Sequence, residues 1–190
     1  MNQKTKKIVG IGLLTAIIIV LQVFSSTIRL GIFNITLVLT PIIVGAALYG
    51  WYVGAWLGFI FSMIVLFTDA GLFMAINIPG TIITVLAKGT LAGIVAALVY
   101  LALQKKNRYL AVVVAAIATP ITNTGIFLLG CRLFFYDTIK EWATAAGFEN
   151  AAAYMIFGLV GLNFIVEMLI NLVLSATTLR IINIGKKQNP

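Results

Sequence analysis

The sequence alternates long apolar runs with short polar or basic segments, a pattern typical of a chain that crosses a membrane several times. A membrane-spanning helix needs about 20 predominantly apolar residues, and six runs come close to that length. The six predicted spans are residues 8–24, 30–49, 51–67, 82–103, 109–131 and 154–174. We therefore expect an all-α fold, a six-helix transmembrane bundle, with residues 1–190 forming a single integral membrane domain.

Local features set the boundaries of these spans. The first run is longer than the apolar core of a typical signal peptide and further spans follow it, which favours a retained signal-anchor helix. Gly50, between Tyr49 and Trp51, divides one long apolar block into the second and third spans. Residues 68–80 are rich in turn-forming residues and are expected to form an outer loop. Pro120 is expected to bend the fifth span or to free a backbone carbonyl.

The composition excludes several classes of function. Charged residues make up 9% of the chain and hydrophobic residues 62%, whereas about a quarter of a soluble domain is charged. With no histidine and one cysteine, Cys131, the chain has no set of ligands for a zinc site and no internal disulfide. Nucleotide-binding and hydrolytic motifs are also missing from the sequence. We therefore expect no enzyme activity, no catalytic residues, no metal and no cofactor.

Charge indicates the orientation. The net charge is +8, from 13 Lys and Arg against 5 Asp and Glu. The basic residues lie in short clusters beside the spans, a distribution that does not favour nucleic acid as a partner. Because cytoplasmic loops carry the excess of Lys and Arg, both termini are predicted to be cytoplasmic in a multi-pass plasma membrane protein. This places inside the residues Lys4, Lys6, Lys7, Lys105, Lys106, Arg108, Arg180, Lys186 and Lys187.

Polar residues at membrane depth are the candidate functional residues. Asn163, Glu167 and Asn171 recur at every fourth position, so they share one face of the sixth span. A carboxylate near the bilayer centre costs at least about 2.5 kcal/mol unless it is paired or hydrated, so this face should look away from lipid. For Glu167, the alternatives are a substrate-cavity role and a structural ion pair or protonated, hydrogen-bonded acid.

Two other spans carry polar residues at similar depth. Lys88 is either a cavity cation or a lysine that extends to the membrane surface. Asn123 either lines a pocket or satisfies a carbonyl freed by Pro120. We expect Lys88, Asn123 and Asn163 to converge in an outward-facing polar pocket, with Glu167 at its floor.

The predicted outer loop, residues 68–80, carries the apolar side chains of Phe73 and Met74 between its turn residues. It is expected to be either a lid over a bound small molecule or an anchor at the membrane interface. Asp69 and Asn77 are candidate rim contacts for a ligand.

Small residues recur at four-residue spacing and allow helices to approach closely. For the sets Gly50, Gly54, Gly58 and Gly89, Gly93, Ala97, packing within the bundle is the preferred interpretation. Gly12 and Ala16, on the first span, could equally face another subunit.

The order of these features resembles a known family. The features are the basic amino terminus, Gly12 with Ala16, the segment from Pro41 to Gly50 followed by Gly54 and Gly58, Lys88-Gly89 with Gly93, and the face with Asn163, Glu167 and Asn171. Together they resemble the substrate-binding S component of energy-coupling factor (ECF) transporters over nearly the whole chain.

The resemblance implies a subunit that binds a vitamin or related micronutrient from outside. Its partners would be a transmembrane coupling (T) subunit and two cytoplasmic ATPase subunits, which together form an ABC importer. Gly12 and Ala16 match the family's contact to the coupling protein, and residues 68–80 match its gating loop. The family's binding residues come from that loop and from the outer halves of the last three spans, where Lys88, Asn123, Asn163 and Glu167 lie.

Two other functions stay open at this point. The chain could be a self-sufficient ion-coupled or facilitative carrier in which Glu167 relays protons, or a membrane scaffold whose polar residues only pack helices. No signature identifies one vitamin, although Lys88 points weakly to a carboxylate or phosphate group on the ligand.

Overall fold

The fold was analysed in a computed structural model that describes residues 2–27, 29–30, 33–34 and 36–188. The described residues are almost entirely helical, which confirms the all-α class, with one two-residue antiparallel ladder between β1 and β2. The elements in chain order are α1 Gln3–Ser25, β1 Arg29–Leu30, β2 Phe33–Asn34, α2 Leu39–Tyr49, α3 Trp51–Thr68, α4 Gly71–Met74, α5 Ile78–Leu103, α6 Arg108–Phe134, α7 Tyr136–Ala145, α8 Ala151–Ala153, a π-helical stretch Tyr154–Val160, α9 Gly161–Val173 and α10 Ser175–Gln188.

Five stretches of the described chain are long and apolar enough to cross a membrane. They are Gln3–Ser25, Trp51–Thr68, Ile78–Leu103, Arg108–Phe134 and Ala151–Val173. Their positions agree with the first and the third to sixth predicted spans. The bilayer core is about 30 Å thick, so a helix that rises 1.5 Å per residue crosses it in about 20 residues.

The second predicted span, residues 30–49, is wrong in its first half. Its helix, α2, has 11 residues, Leu39–Tyr49, and Leu30 belongs to the short ladder instead. Pro41 lies in the first turn of α2, the part of a helix in which proline is tolerated best because the N–H that it lacks would have no helical partner there. Apolar composition predicted a span over this segment, but composition alone could not set where the helix begins. Part of the predicted span, residues 31, 32 and 35, lies outside the described residues.

Helix α5 begins earlier than the predicted residue 82. Pro79 and Gly80, which were assigned to the loop 68–80, lie in its first turn. Asn77 caps this turn, because its Oδ1 accepts a hydrogen bond from the Gly80 N–H at 2.9 Å. Proline is pre-organised for this position, so the Pro-Gly pair starts the helix here. The rest of the loop contains the four-residue helix α4.

Glycines hold α3 and α5 together. A Cβ added at Gly54 would overlap the carbonyl of Gly93, and one added at Gly58 would overlap the carbonyl of Gly89. The predicted packing within the bundle is therefore confirmed for these four glycines. Gly50 has a different role, because its φ of 92° makes the turn between α2 and α3.

One end of the bundle gathers residues from the basic clusters. Lys186 of α10 donates a hydrogen bond to Gln104 Oε1 after α5, and Arg108 contacts Asn183 Oδ1 at 3.4 Å. Leu48, near the end of α2, packs against Gly185 of α10 and shares a surface groove with Lys4 and Lys7. The three basic segments therefore lie at the same end of the protein.

Candidate functional site

A partly enclosed cavity lies towards the other end, among α3, α5, α6 and α9. Its volume is about 90 Å³, several times the roughly 10–15 Å³ that one water molecule requires on this measure. The wall is mainly apolar, and the aromatic residues in it are Phe61, Phe73, Phe127, Phe135 and Phe164. An apolar wall with a few placed polar groups is the usual character of a small-molecule site.

The structure brings together most of the residues predicted for a ligand site. Lys88 from α5, Asn123 from α6, Asn163 and Glu167 from α9, and Asp69 at the end of α3 all line this cavity. These side chains are far apart in the sequence, so the fold is what places them around one space. Asn77 is not among the residues that line it, since its side chain caps α5.

The polar face of α9 is buried, as its spacing predicted. Asn163, Glu167 and Asn171 are between 2% and 8% exposed. Glu167 Oε1 accepts a hydrogen bond from the Thr36 N–H at 2.9 Å. Four residues further along α9, Asn171 Oδ1 accepts a hydrogen bond from Thr40 Oγ1 at 2.8 Å. Asn171 Nδ2 donates to the Glu167 carbonyl, also at 2.8 Å. The cavity end of α9 is thereby fixed to the segment that leads into α2.

Lys88 faces the cavity between two aromatic rings. Its Nζ lies 5.8 Å from the ring centre of Phe61 on α3 and 5.6 Å from that of Phe127 on α6, within the range of cation–π attraction. Glu167 and Asp69 are near enough to interact with it electrostatically. Lys88 therefore lines the cavity, and its role as a substrate-binding cation stays a prediction.

Asp69 is held by residues from two helices. Its Oδ2 accepts hydrogen bonds from Gln22 Nε2 of α1 at 2.8 Å and from Thr68 Oγ1 at 3.0 Å. Gln22 is 2% exposed and lines the cavity, a position that the sequence analysis missed. Gln22 is an uncharged polar residue in an apolar helix, so the sequence pattern did not mark it as a candidate cavity residue.

Four polar atoms in the cavity wall lack a hydrogen-bond partner among the described residues. They are Gln22 Oε1, Thr84 Oγ1, Asn123 Oδ1 and Asn163 Oδ1, and all four are buried. An unsatisfied buried polar group costs roughly 1–3 kcal/mol, so native proteins usually supply a partner or an ordered water. A bound polar molecule would satisfy several of these atoms together.

The two threonines beside Pro120 hydrogen-bond to carbonyls of their own helix. Thr119 Oγ1 donates to the Ala115 carbonyl at 2.7 Å, and Thr122 Oγ1 donates to the Ala118 carbonyl at 2.8 Å. The helix continues through the proline from Arg108 to Phe134. No described hydrogen bond joins Asn123 to the Ala116 carbonyl that Pro120 frees, and Asn123 lines the cavity with its Oδ1 unpartnered among the described residues.

Phe73 of α4 covers one side of the cavity. Its ring makes edge contacts with Phe135, at 4.9 Å between ring centres, with Phe127 at 5.6 Å and with Trp142 of α7 at 5.9 Å. The residue is 4% exposed, so it points inward from its loop. This geometry favours the lid interpretation of residues 68–80 over the interfacial anchor.

A π-helical stretch, Tyr154–Val160, precedes Asn163 and was not expected from the sequence. Leu159 and Val160 at its end line the cavity. Such stretches are rare and are found often at functional sites. Helix periodicity placed the polar face of α9 correctly because Asn163, Glu167 and Asn171 all follow the irregular stretch.

Gly12 and Ala16 lie on an exposed face of α1, away from the cavity. A Cβ added at Gly12 would meet no atom within 4 Å. Their position leaves them accessible to another helix, and their role in partner binding stays a prediction.

The fold and the site together define a class. Several apolar helices surround a cavity with polar groups, which is the arrangement of a membrane protein that binds a small molecule. Residues 6–178 match the family model for the ECF transporter, substrate-specific component. The chain belongs to this family, which makes it a substrate-binding, multi-pass protein of the plasma membrane. A comparison with curated proteins gave no match. A comparison with solved structures gave none either.

Proposed function

We propose that this protein captures a vitamin or related micronutrient from outside the cell in the cavity between α3, α5, α6 and α9. Partner subunits would supply the energy for uptake. The observation that carries the proposal is the set of buried, unpartnered polar atoms in the cavity wall. Substrate-binding residues would be Lys88, Asn123, Asn163, Glu167 and Asp69, with Gln22 and Thr84 added from the structure.

Two features support an outward-facing cavity in a bundle with cytoplasmic termini. The basic segments lie at one end, where cytoplasmic positive charge is expected, and the cavity lies towards the other. Five apolar segments are long enough to cross a membrane, namely α1, α3, α5, α6 and Ala151–Val173, and the short apolar helix α2 would be the sixth of the proposed bundle. Substrate entry would require Phe73 and α4 to move away from Phe135.

The proposed partners are a transmembrane coupling subunit and two cytoplasmic ATPases. The described loops between spans on the basic side are short, for example the loop of residues 104–107 between α5 and α6. This leaves no room there for an ATPase domain within the described chain. Gly12 and Ala16 are the proposed contact with the coupling subunit, because small residues let two helices approach within the membrane.

Reconstitution tests the proposal against a self-sufficient carrier. Proteoliposomes containing this protein, with or without its coupling and ATPase subunits, would be incubated in a vitamin mixture, and the vesicle contents identified by mass spectrometry. We expect one compound to accumulate only with the partners and ATP. Accumulation by the lone chain under a proton or sodium gradient would instead establish a carrier.

A further inference from the structure

The polar groups of the cavity wall divide into those that the protein already engages and those left for a ligand. Both carboxylates belong to the first group. Glu167 Oε1 accepts the Thr36 N–H, and Asp69 Oδ2 accepts hydrogen bonds from Gln22 and Thr68. These acids are therefore held by protein donors.

The ammonium group of Lys88 belongs to the second group. Its contacts are the faces of Phe61 and Phe127, and no carboxylate oxygen in the described part of the chain lies within the 4.0 Å of an ion pair. A charge in apolar surroundings is costly unless it is paired and hydrogen-bonded. Three N–H donors of Lys88 thus face the cavity, and they have no described ion pair with the carboxylates of Glu167 and Asp69, which act on Lys88 electrostatically from the same wall.

The charge balance limits which anion fits. Lys88 is the one basic residue among the described residues that line the cavity, and Glu167 and Asp69 interact with it electrostatically. A phosphate carries up to two negative charges and is usually bound by several donors, often from arginine. A singly charged carboxylate requires one cation and is repelled less by the two acids. The cavity therefore favours a carboxylate over a phosphate.

The amide groups specify the rest of the ligand. Because Gln22 Nε2 donates to Asp69, Gln22 Oε1 is fixed as an acceptor, and it is buried without a described partner. Asn123 and Asn163 each offer an amide to the same space, and an amide can both donate and accept. A ligand that satisfies Gln22 must carry a hydrogen-bond donor, and a hydroxyl or an amide N–H supplies one.

We infer that the substrate is a small monocarboxylic acid whose apolar body carries neutral hydroxyl or amide donors. Its carboxylate pairs with Lys88, its apolar part packs against Phe61 and Phe127, and its donors bind Gln22 and the two asparagines. This inference deepens the proposed function and rests on it.

Capture from a defined mixture tests the substrate class. Wild-type protein in lipid nanodiscs would be incubated with the small-molecule fraction of yeast extract, either untreated or with its carboxylates converted to methylamides by carbodiimide coupling. Released compounds would be identified by mass spectrometry. We expect a carboxylic acid from the untreated fraction and no capture of its amide. Capture of a compound without a carboxylate would overturn the substrate class but leave the proposed function standing. No capture from either fraction would contradict both the substrate class and the proposed function.

Substitution of Lys88 tests the contact itself. For the captured acid, Lys88→Met should weaken binding about 10- to 100-fold, because a charge-assisted hydrogen bond is lost. Lys88→Arg should restore part of the affinity, and the exposed-loop variant Lys105→Met should bind like the wild type. Equal affinity of Lys88→Met and wild type for the acid would overturn the assignment of its carboxylate to Lys88. The capture experiment uses wild-type protein, so it decides the substrate class even if Lys88→Met does not fold.

Discussion

At the residue scale, the sequence revealed the charged residues, the periodic polar face and Asn123, but it missed two neutral polar residues, Gln22 and Thr84. Lys88 and Glu167 stood out because an ionised side chain is costly in a membrane. Asn163 stood out because it shares a helix face with Glu167. Gln22 and Thr84 were missed because both are uncharged, and a neutral polar group is tolerated in an apolar helix at modest cost. Only the fold showed that they border the same cavity.

Loss of the two asparagine amides should weaken ligand binding without unfolding the protein. Asn123 Oδ1 and Asn163 Oδ1 have no described partner, so Asn123→Ala and Asn163→Ala break no recorded hydrogen bond of these atoms. Each should raise the Kd of the captured ligand about 5- to 30-fold, which corresponds to roughly 1–2 kcal/mol. Isothermal titration calorimetry in detergent measures this effect.

Asn183→Ala is the matched control for the asparagine variants. Asn183 lies at the basic end of the protein, beside Arg108, and its loss should leave the Kd unchanged. An equal loss of affinity in Asn183→Ala, or none in either cavity variant, would show that the asparagines do not contact the ligand.

At the scale of helices, apolar length located the spans, whereas caps and proline decided where several of them begin. The sequence placed Asn77, Pro79 and Gly80 in a loop because all three favour turns. In the fold they form a helix cap and a first turn, which is the other common use of these residue types. Pro41 similarly lies in the first turn of α2, which begins at Leu39 and not at the predicted residue 30.

The glycine contact between α3 and α5 should be essential for stability. In Gly58→Val, the new side chain would overlap the Gly89 carbonyl, and backbone shifts of this kind cost about 1–3 kcal/mol. We expect a lower thermal unfolding midpoint in detergent, measured by the fluorescence of the native tryptophans.

Gly125→Val provides the control for this prediction. A Cβ at Gly125 meets no atom within 4 Å, and valine is also the better helix former of the two. Its unfolding midpoint should match or exceed that of the wild type. Equal midpoints for Gly58→Val and Gly125→Val would contradict the close approach of α3 and α5.

At the scale of the whole molecule, the protein separates a ligand cavity from an exposed helix surface. The cavity lies among α3, α5, α6 and α9, while Gly12 and Ala16 face outward on α1. The sequence alone could not separate these roles, because small residues pack helices equally well inside one chain and between chains. The fold separates them, since Gly12 has no neighbour within the described chain that a Cβ would touch.

Bulky side chains at Gly12 and Ala16 should impair uptake without impairing binding. The double variant Gly12→Leu, Ala16→Leu should keep the Kd of the wild type, because neither residue lines the cavity. It should lose at least about tenfold of ATP-driven uptake when reconstituted with its partners, since the helix contact needs close approach. Wild-type uptake by this variant would place the partner contact elsewhere.

The central claim is that polar side chains from separate helices form one ligand cavity, and mass spectrometry of gently purified protein tests it most directly. Wild-type protein should release one small organic compound at close to one molecule per chain. The Asn123→Ala, Asn163→Ala double variant should release much less, while Asn183→Ala should release the wild-type amount. An equal yield of the compound from wild type and the double variant would contradict the account.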